Sequence, residues 1–119
     1  QRYCEFIRKK YGILPGFITL NMPYLKRKLE EWGIEDVVIC SSINAAGFNM
    51  HPSKEEYERV IAENDPEKYQ LMAMNVLASG SLSASQSFEY VNGLNVQSVV
   101  FGASSKAHIQ SSIDSIRLK

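Results

Sequence analysis

The sequence predicts an α/β fold, four strand–helix units built around a parallel sheet, and three observations carry that prediction. Short apolar runs alternate with amphipathic stretches along most of the chain. The runs themselves are apolar on both faces, as expected of strands in a parallel sheet packed on by helices. Links from helix to strand are brief, whereas links from strand to helix are longer and rich in Ser, Asn, Gly and Ala. Strands alternating with helices are joined by crossovers, and crossovers make the strands parallel.

Taken in order, residues 2–11 read as a helix with Cys4, Ile7 and Tyr11 turned inward. The first strand is expected near 16–21, "GFITLN", entered through Pro15. A helix over 23–32 follows, with Leu25, Leu29 and Trp32 at i, i+4 and i+7 on one face. Pro23 suits its first turn and Gly33 its end. The second strand falls near 36–42, "DVVICSS", and a loop runs from there to Pro52. Ser53 and Glu56 have capping-box spacing and open a helix over 53–64, whose stripe is Tyr57, Val60 and Ile61. The third strand is placed near 70–76, and Ser83 with Gln86 opens a helix over 83–92 that turns Phe88 and Val91 inward. The fourth strand, near 97–102, leads to a helix over 105–117 with Ile109, Ile113 and Ile116 as its apolar stripe.

Bulk properties narrow the function. The 119 residues make one domain, 1–119. Thirteen basic and thirteen acidic side chains cancel, which argues against nucleic acid and anionic membrane as partners, since both call for an excess of Lys and Arg. Cys4 and Cys40 lack the partners of a zinc site, so no metal is expected. Two thiols in a chain of ordinary composition suit a reducing, cytoplasmic setting. No apolar run approaches the ~20 residues of a membrane span.

In parallel α/β folds ligands lie at the carboxyl ends of the strands. Two small polar turns stand there on consecutive strands, "ASGS" (78–81) and "GASS" (102–105). Glycine lets a ligand approach the backbone, and free N–H groups at a helix N-terminus favour an anion. The expected phosphate site is therefore Ser79, Gly80, Ser81, Gly102, Ala103, Ser104, Ser105 and Lys106. Asn21, Ser42, Asn44 and Asn75 lie at or just beyond strand ends, and His51 lies in a long loop, so these five are the expected substrate-binding residues. His108 falls in the first turn of the last helix, where an imidazole can face an anion. No nucleophile–base dyad or carboxylate pair stands at this face, so the catalytic residues are unknown.

The stretch "NVLASGSLSASQSFEYV…VQSVVFGASSKAHIQSSIDSI" resembles the closing two units of phosphate-binding (β/α)8 barrels, and its end resembles that of aldo-keto-reductase-type barrels. The resemblance implies that the four units are the second half of a TIM barrel, with residues 2–11 as its fourth helix. It further implies a phosphate site after the seventh and eighth strands. It points to a nicotinamide dinucleotide phosphate as cofactor, with Lys106 alone in the last turn to meet its 2′-phosphate. The catalytic Asp, Tyr, Lys and His of such enzymes belong to the first half of the barrel. A small flavodoxin-like open sheet is the alternative architecture; it brings five strands and a reversed strand order.

The expected function is thus binding of a phosphorylated small molecule or phosphate-bearing cofactor, as half of a metabolic enzyme such as an oxidoreductase or lyase. The alternative is a non-catalytic small-molecule-binding or structural assembly module. A half barrel has open edges and an apolar inner face, so either a homo-oligomer or a missing N-terminal barrel half is expected to cover it.

Overall fold

The computed structural model describes residues 1–118; Lys119, the last residue of the expected domain, lies outside the described residues. The element order is α1 (Arg2–Tyr11), β1 (Gly16–Thr19), α2 (Met22–Glu31), β2 (Val37–Ser42), α3 (Lys54–Ala62), β3 (Tyr69–Met74), a single 3-10 turn (Ala78–Gly80), α4 (Ala84–Asn92), β4 (Ser98–Val99) and α5 (Lys106–Ser115). The four strands form one parallel sheet in the order β1-β2-β3-β4. Four strand–helix units on a parallel sheet are therefore present. The reversed strand order of the flavodoxin-like alternative is not.

Local chemistry accounts for the helix ends. Asn21 accepts the Tyr24 N–H at the start of α2, and Ser53 accepts the Glu56 N–H at the start of α3. Glu56 does not reach back to complete a capping box; its carboxylate pairs with Arg59. The Ser83 hydroxyl accepts the Gln86 N–H and donates to Gln86 Oε1, but the Gln86 side chain does not reach the Ser83 N–H, so this capping box is not completed either. α2 stops where Gly33 takes φ +64°. There Gly33 N–H donates to Glu30 and Ile34 N–H to Leu29, and buried Ile34 closes over Leu29.

Strand partners in register define the two faces of the sheet. One face presents Phe17, Val37, Ile39, Tyr69, Leu71, Ala73 and Val99. All of these join a single core with Cys4 of α1, Met22 and Leu29 of α2, Tyr57, Val60 and Ile61 of α3, and Phe88 and Val91 of α4. The helices thus cover one face only. The other face presents Ile18, Val38, Cys40, Ser42, Gln70, Met72, Met74 and Ser98, and Ile18 remains 77% exposed. Helices cover only the first face; on the second, Cys40 and Ser42 are nevertheless buried, and Ser42, Gln70 and Ser98 interrupt its apolar character.

Several expectations are corrected. β4 has two residues rather than six: single bonds from Gln97 N–H to Leu71 and from Val100 N–H to Ala73 extend its pairing. Phe101 then meets Phe88 edge-on, at 6.3 Å between ring centroids. β1 ends at Thr19, and the Leu20 carbonyl accepts the His51 N–H instead of continuing a ladder. Trp32, at 62% exposure, lies beyond the last turn of α2, where Met22 and Leu29 are the buried anchors. Tyr11 is exposed as well. Of the stripe expected on α5, Ile116 lies just past the helix and packs against the core, while Ile109 and Ile113 are 44% and 53% exposed.

Candidate functional site

At the carboxyl end of β1 and β2, the candidate residues serve the scaffold. Asn21 spends its side-chain oxygen on the α2 cap. Asn44 is fully buried and closes its own loop: its Nδ2 donates to the Phe48 carbonyl and its Oδ1 accepts the Phe48 N–H at 2.8 Å. Both polar groups of its side chain are thus engaged beneath the surface. The ring of His51 is exposed on the loop, and its backbone N–H is tied to Leu20. Between these residues runs a buried chain of hydroxyls. Met22 N–H donates to Tyr57 Oη (3.0 Å), Tyr57 donates to Ser41 Oγ (2.9 Å), and Ser41 donates to the Thr19 carbonyl (2.7 Å).

The open face has its polar end at β2 and β3. Ser42 is buried and accepts from Asn75 Nδ2 at 2.9 Å. Cys40 precedes it by two on the same face, and burial pushes its thiol pKa up, so the sulfur is a neutral thiol rather than a nucleophilic thiolate. Asn75 takes φ +52°, a conformation its short amide tolerates. Beyond it, Ala78, Ser79 and Gly80 take φ +47°, +56° and +83° in succession. A left-handed turn through Ala and Ser costs about 1–2 kcal/mol per residue. Bonds from Ala78 N–H to Asn75, Gly80 N–H to Leu77 and Ser81 N–H to Ala78 hold it, and the Ser81 hydroxyl adds one to Ala78.

This turn changes the expected anion cradle. The amides of Gly80 and Ser81 donate within the turn, and α4 begins beyond it, at its own cap Ser83. The N–H groups of Ser104, Ser105, Lys106 and Ala107 differ: no backbone carbonyl among the described residues accepts from them. Ser105 caps α5 through the His108 N–H.

The structure gathers the rim of β3 and β4 into two neighbouring clefts. One, of about 430 Å³, is lined by Met74, Asn75, Leu77, Ser79, Gly80 and Val100 to Gly102. The second, of about 290 Å³, is lined by Leu77, Ala84, Gly102 to Ser104, His108, Ser111 and Ser112. Leu77 and Gly102 belong to both. Asn21, Asn44 and His51 line neither cleft, so the substrate-binding set expected from the sequence is not brought together. Leu77, Phe101, Ser111 and Ser112 line them without having been singled out in the sequence. A Leu between two strand-end motifs and a serine pair mid-helix carry no local signal of a rim.

The fit to a dinucleotide phosphate is poor. Neither cleft has a Lys or Arg in its lining, and Lys106 stands outside both. The backbone N–H groups of Gly80 and Ser81 are spent within their own turn. The residues present do not form a grip for a pyrophosphate with a 2′-phosphate beside it. Among the described residues, no group of three or more His, Cys, Asp and Glu could hold a metal ion, and no helix is long and apolar enough to cross a membrane. Comparison with family models, with curated proteins and with solved structures finds no match for this chain.

Proposed function

We propose that this chain is one half of a (β/α)8 barrel wall that binds a phosphorylated small molecule at the carboxyl ends of β3 and β4. The observation that carries the reading is the pair of clefts meeting at Gly102, beside the unspent amides at the start of α5. Ser104, Ser105, Lys106 and Ala107 offer four N–H groups at the positive end of a helix dipole, and hydrogen bonds from such donors to an anion are strong. Ser79 and Asn75 add polar side chains along the larger cleft. The left-handed turn at 78–80 supports the same reading, because backbone strain of this kind gathers at ligand sites. A small phosphate monoester suits the site better than a dinucleotide, since the cation supply is one lysine at its margin.

The test is a titration of inorganic phosphate, and then of a sugar phosphate, followed by amide chemical shifts. Residues 102–107 are expected to shift together, with Ser79 and Gly80 following only for the larger ligand. Saturating phosphate that moves none of them makes Ser105 a helix cap and nothing more.

A further inference from the structure

The chain carries its sulfur on two cysteines and four methionines. Three of these side chains belong to the helix-covered core: Cys4 on α1, Met22 at the start of α2, and Met50, whose Sδ accepts the Asn44 N–H. The other three meet on the opposite face of the sheet. Cys40 of β2 is in register with Met72 of β3, and Met74 stands two residues further along β3, in register with Ser42. Alternation along a strand puts Cys40, Met72 and Met74 on one face.

The spacing lets the three sulfurs converge. Neighbouring strands lie about 4.8 Å apart, and residues i and i+2 of one strand about 7 Å apart. Methionine is unbranched and flexible, so both thioethers have the length to meet the Cys40 thiol without backbone movement. Cys40 is buried and forms no disulfide, and Met72 and Met74 are half-buried. The strand residues of this face include no charged side chain: Ile18 and Ser98 share the row of Cys40 and Met72, and Val38 precedes Cys40. Met74 also lines the larger cleft, which gives the cluster a route from solvent.

We propose that Cys40, Met72 and Met74 form a three-sulfur site for a soft monovalent metal ion, Cu(I). Thiolate and thioether are soft donors and select Cu(I), whereas Mg and Ca take oxygen ligands. A structural zinc ion takes four nitrogen or sulfur ligands, and one thiol with two thioethers does not supply them. One thiolate on a monovalent ion leaves no net charge, which suits a face without charged groups, where an uncompensated charge is costly. On binding, the Cys40 S–H bond breaks and its proton leaves to water. The sulfur then bonds the copper, and each thioether donates a lone pair. The copper enters and stays as Cu(I), so no electron is transferred. This site is independent of the phosphate reading, whose residues lie beyond the strands.

The experiment is an oxygen-free titration of the whole reduced chain with Cu(I), in competition with a chromophoric Cu(I) chelator. X-ray absorption at the copper edge follows on the loaded protein. One Cu(I) per chain is expected, with sulfur as its only scatterer. Cys40→Ser and the double variant Met72→Leu, Met74→Leu should each lose more than about 100-fold in affinity, beyond the range for loss of an outer-shell partner. Cys4→Ala should match the unaltered chain. Leu conserves the volume of Met, so the double variant stays folded by circular dichroism and decides the question if Cys40→Ser does not fold. Affinity retained by either sulfur variant overturns the proposal, as does an equal loss in Cys4→Ala. Nitrogen or oxygen scatterers, or failure to take Cu(I) from the chelator, also overturn it.

Discussion

Replacing Tyr57 by Phe removes one oxygen from a fully buried position and keeps the ring. The hydroxyl chain around it has only one consistent direction. Ser41 spends its proton on the Thr19 carbonyl, so Tyr57 must donate to Ser41 and accept from Met22. Met22 opens α2, and its N–H has no acceptor within the helix. Loss of the hydroxyl therefore leaves a buried N–H unpaired, which costs about 1–3 kcal/mol, and removes a second bond worth about 1 kcal/mol. The expected destabilisation is about 2–4 kcal/mol. With a urea m-value of about 2 kcal/mol/M, the midpoint falls by about 1–2 M. Ser41→Ala breaks the same chain one link further on, so the double variant should fall short of the sum by about 1 kcal/mol. Urea unfolding of the four proteins, followed by far-UV circular dichroism, measures this cycle. A loss below about 0.5 kcal/mol for Tyr57→Phe, or strict additivity with Ser41→Ala, refutes the proposed direction of the chain and its role in fixing α2 and α3 to the rim of β1 and β2.

Three further outcomes are expected. Ser105→Ala removes the α5 cap, a loss of about 0.5–2 kcal/mol; because α5 buries no side chain, amide exchange should accelerate at His108 and Ile109 while the global unfolding midpoint stays in place. Ala103→Glu, on an exposed turn beside the smaller cleft, should abolish phosphate-induced shifts at residues 104–107 by like-charge repulsion, with an unchanged circular dichroism spectrum. Burial, and then its hydrogen bond to Glu58, raise the Tyr90 phenol pKa. The native state thus holds that proton where the unfolded chain has lost it. This contribution to stability is complete below the ordinary phenol value near 10 and is lost as pH rises above it toward the folded value. Tyr90→Phe should flatten that alkaline decline in thermal unfolding scans, and an equally steep decline in the variant would count against the assignment.

Much of the fold is legible in the sequence because it depends on local pattern. Apolar runs alternating with amphipathic stretches determine four strands and five helices. Ser53, Ser83 and Ser105 each cap the helix they precede, because a hydroxyl reaches the N–H three residues on through backbone geometry alone. Tyr57, Val60, Phe88 and Val91 are buried as their spacing requires. What only the tertiary structure decided depends on neighbours distant in sequence. Ile109 and Ile113 have the spacing of a buried stripe, yet they are exposed, since their burial needs a surface beyond β4 that this chain does not supply. Asn44 and Asn75 occupy similar places after their strands. Asn44 folds onto its own loop, whereas Asn75 reaches across to Ser42, a choice made by loop path rather than residue type. The turns at 78–81 and 102–105 read alike as small polar segments. In the first, a left-handed path consumes the amides of Gly80 and Ser81 in internal bonds; in the second, no backbone carbonyl among the described residues accepts from Ser104 or Ser105. Composition determines that both turns are permissive, but the backbone path taken between strand and helix determines which of them has donors left for a ligand.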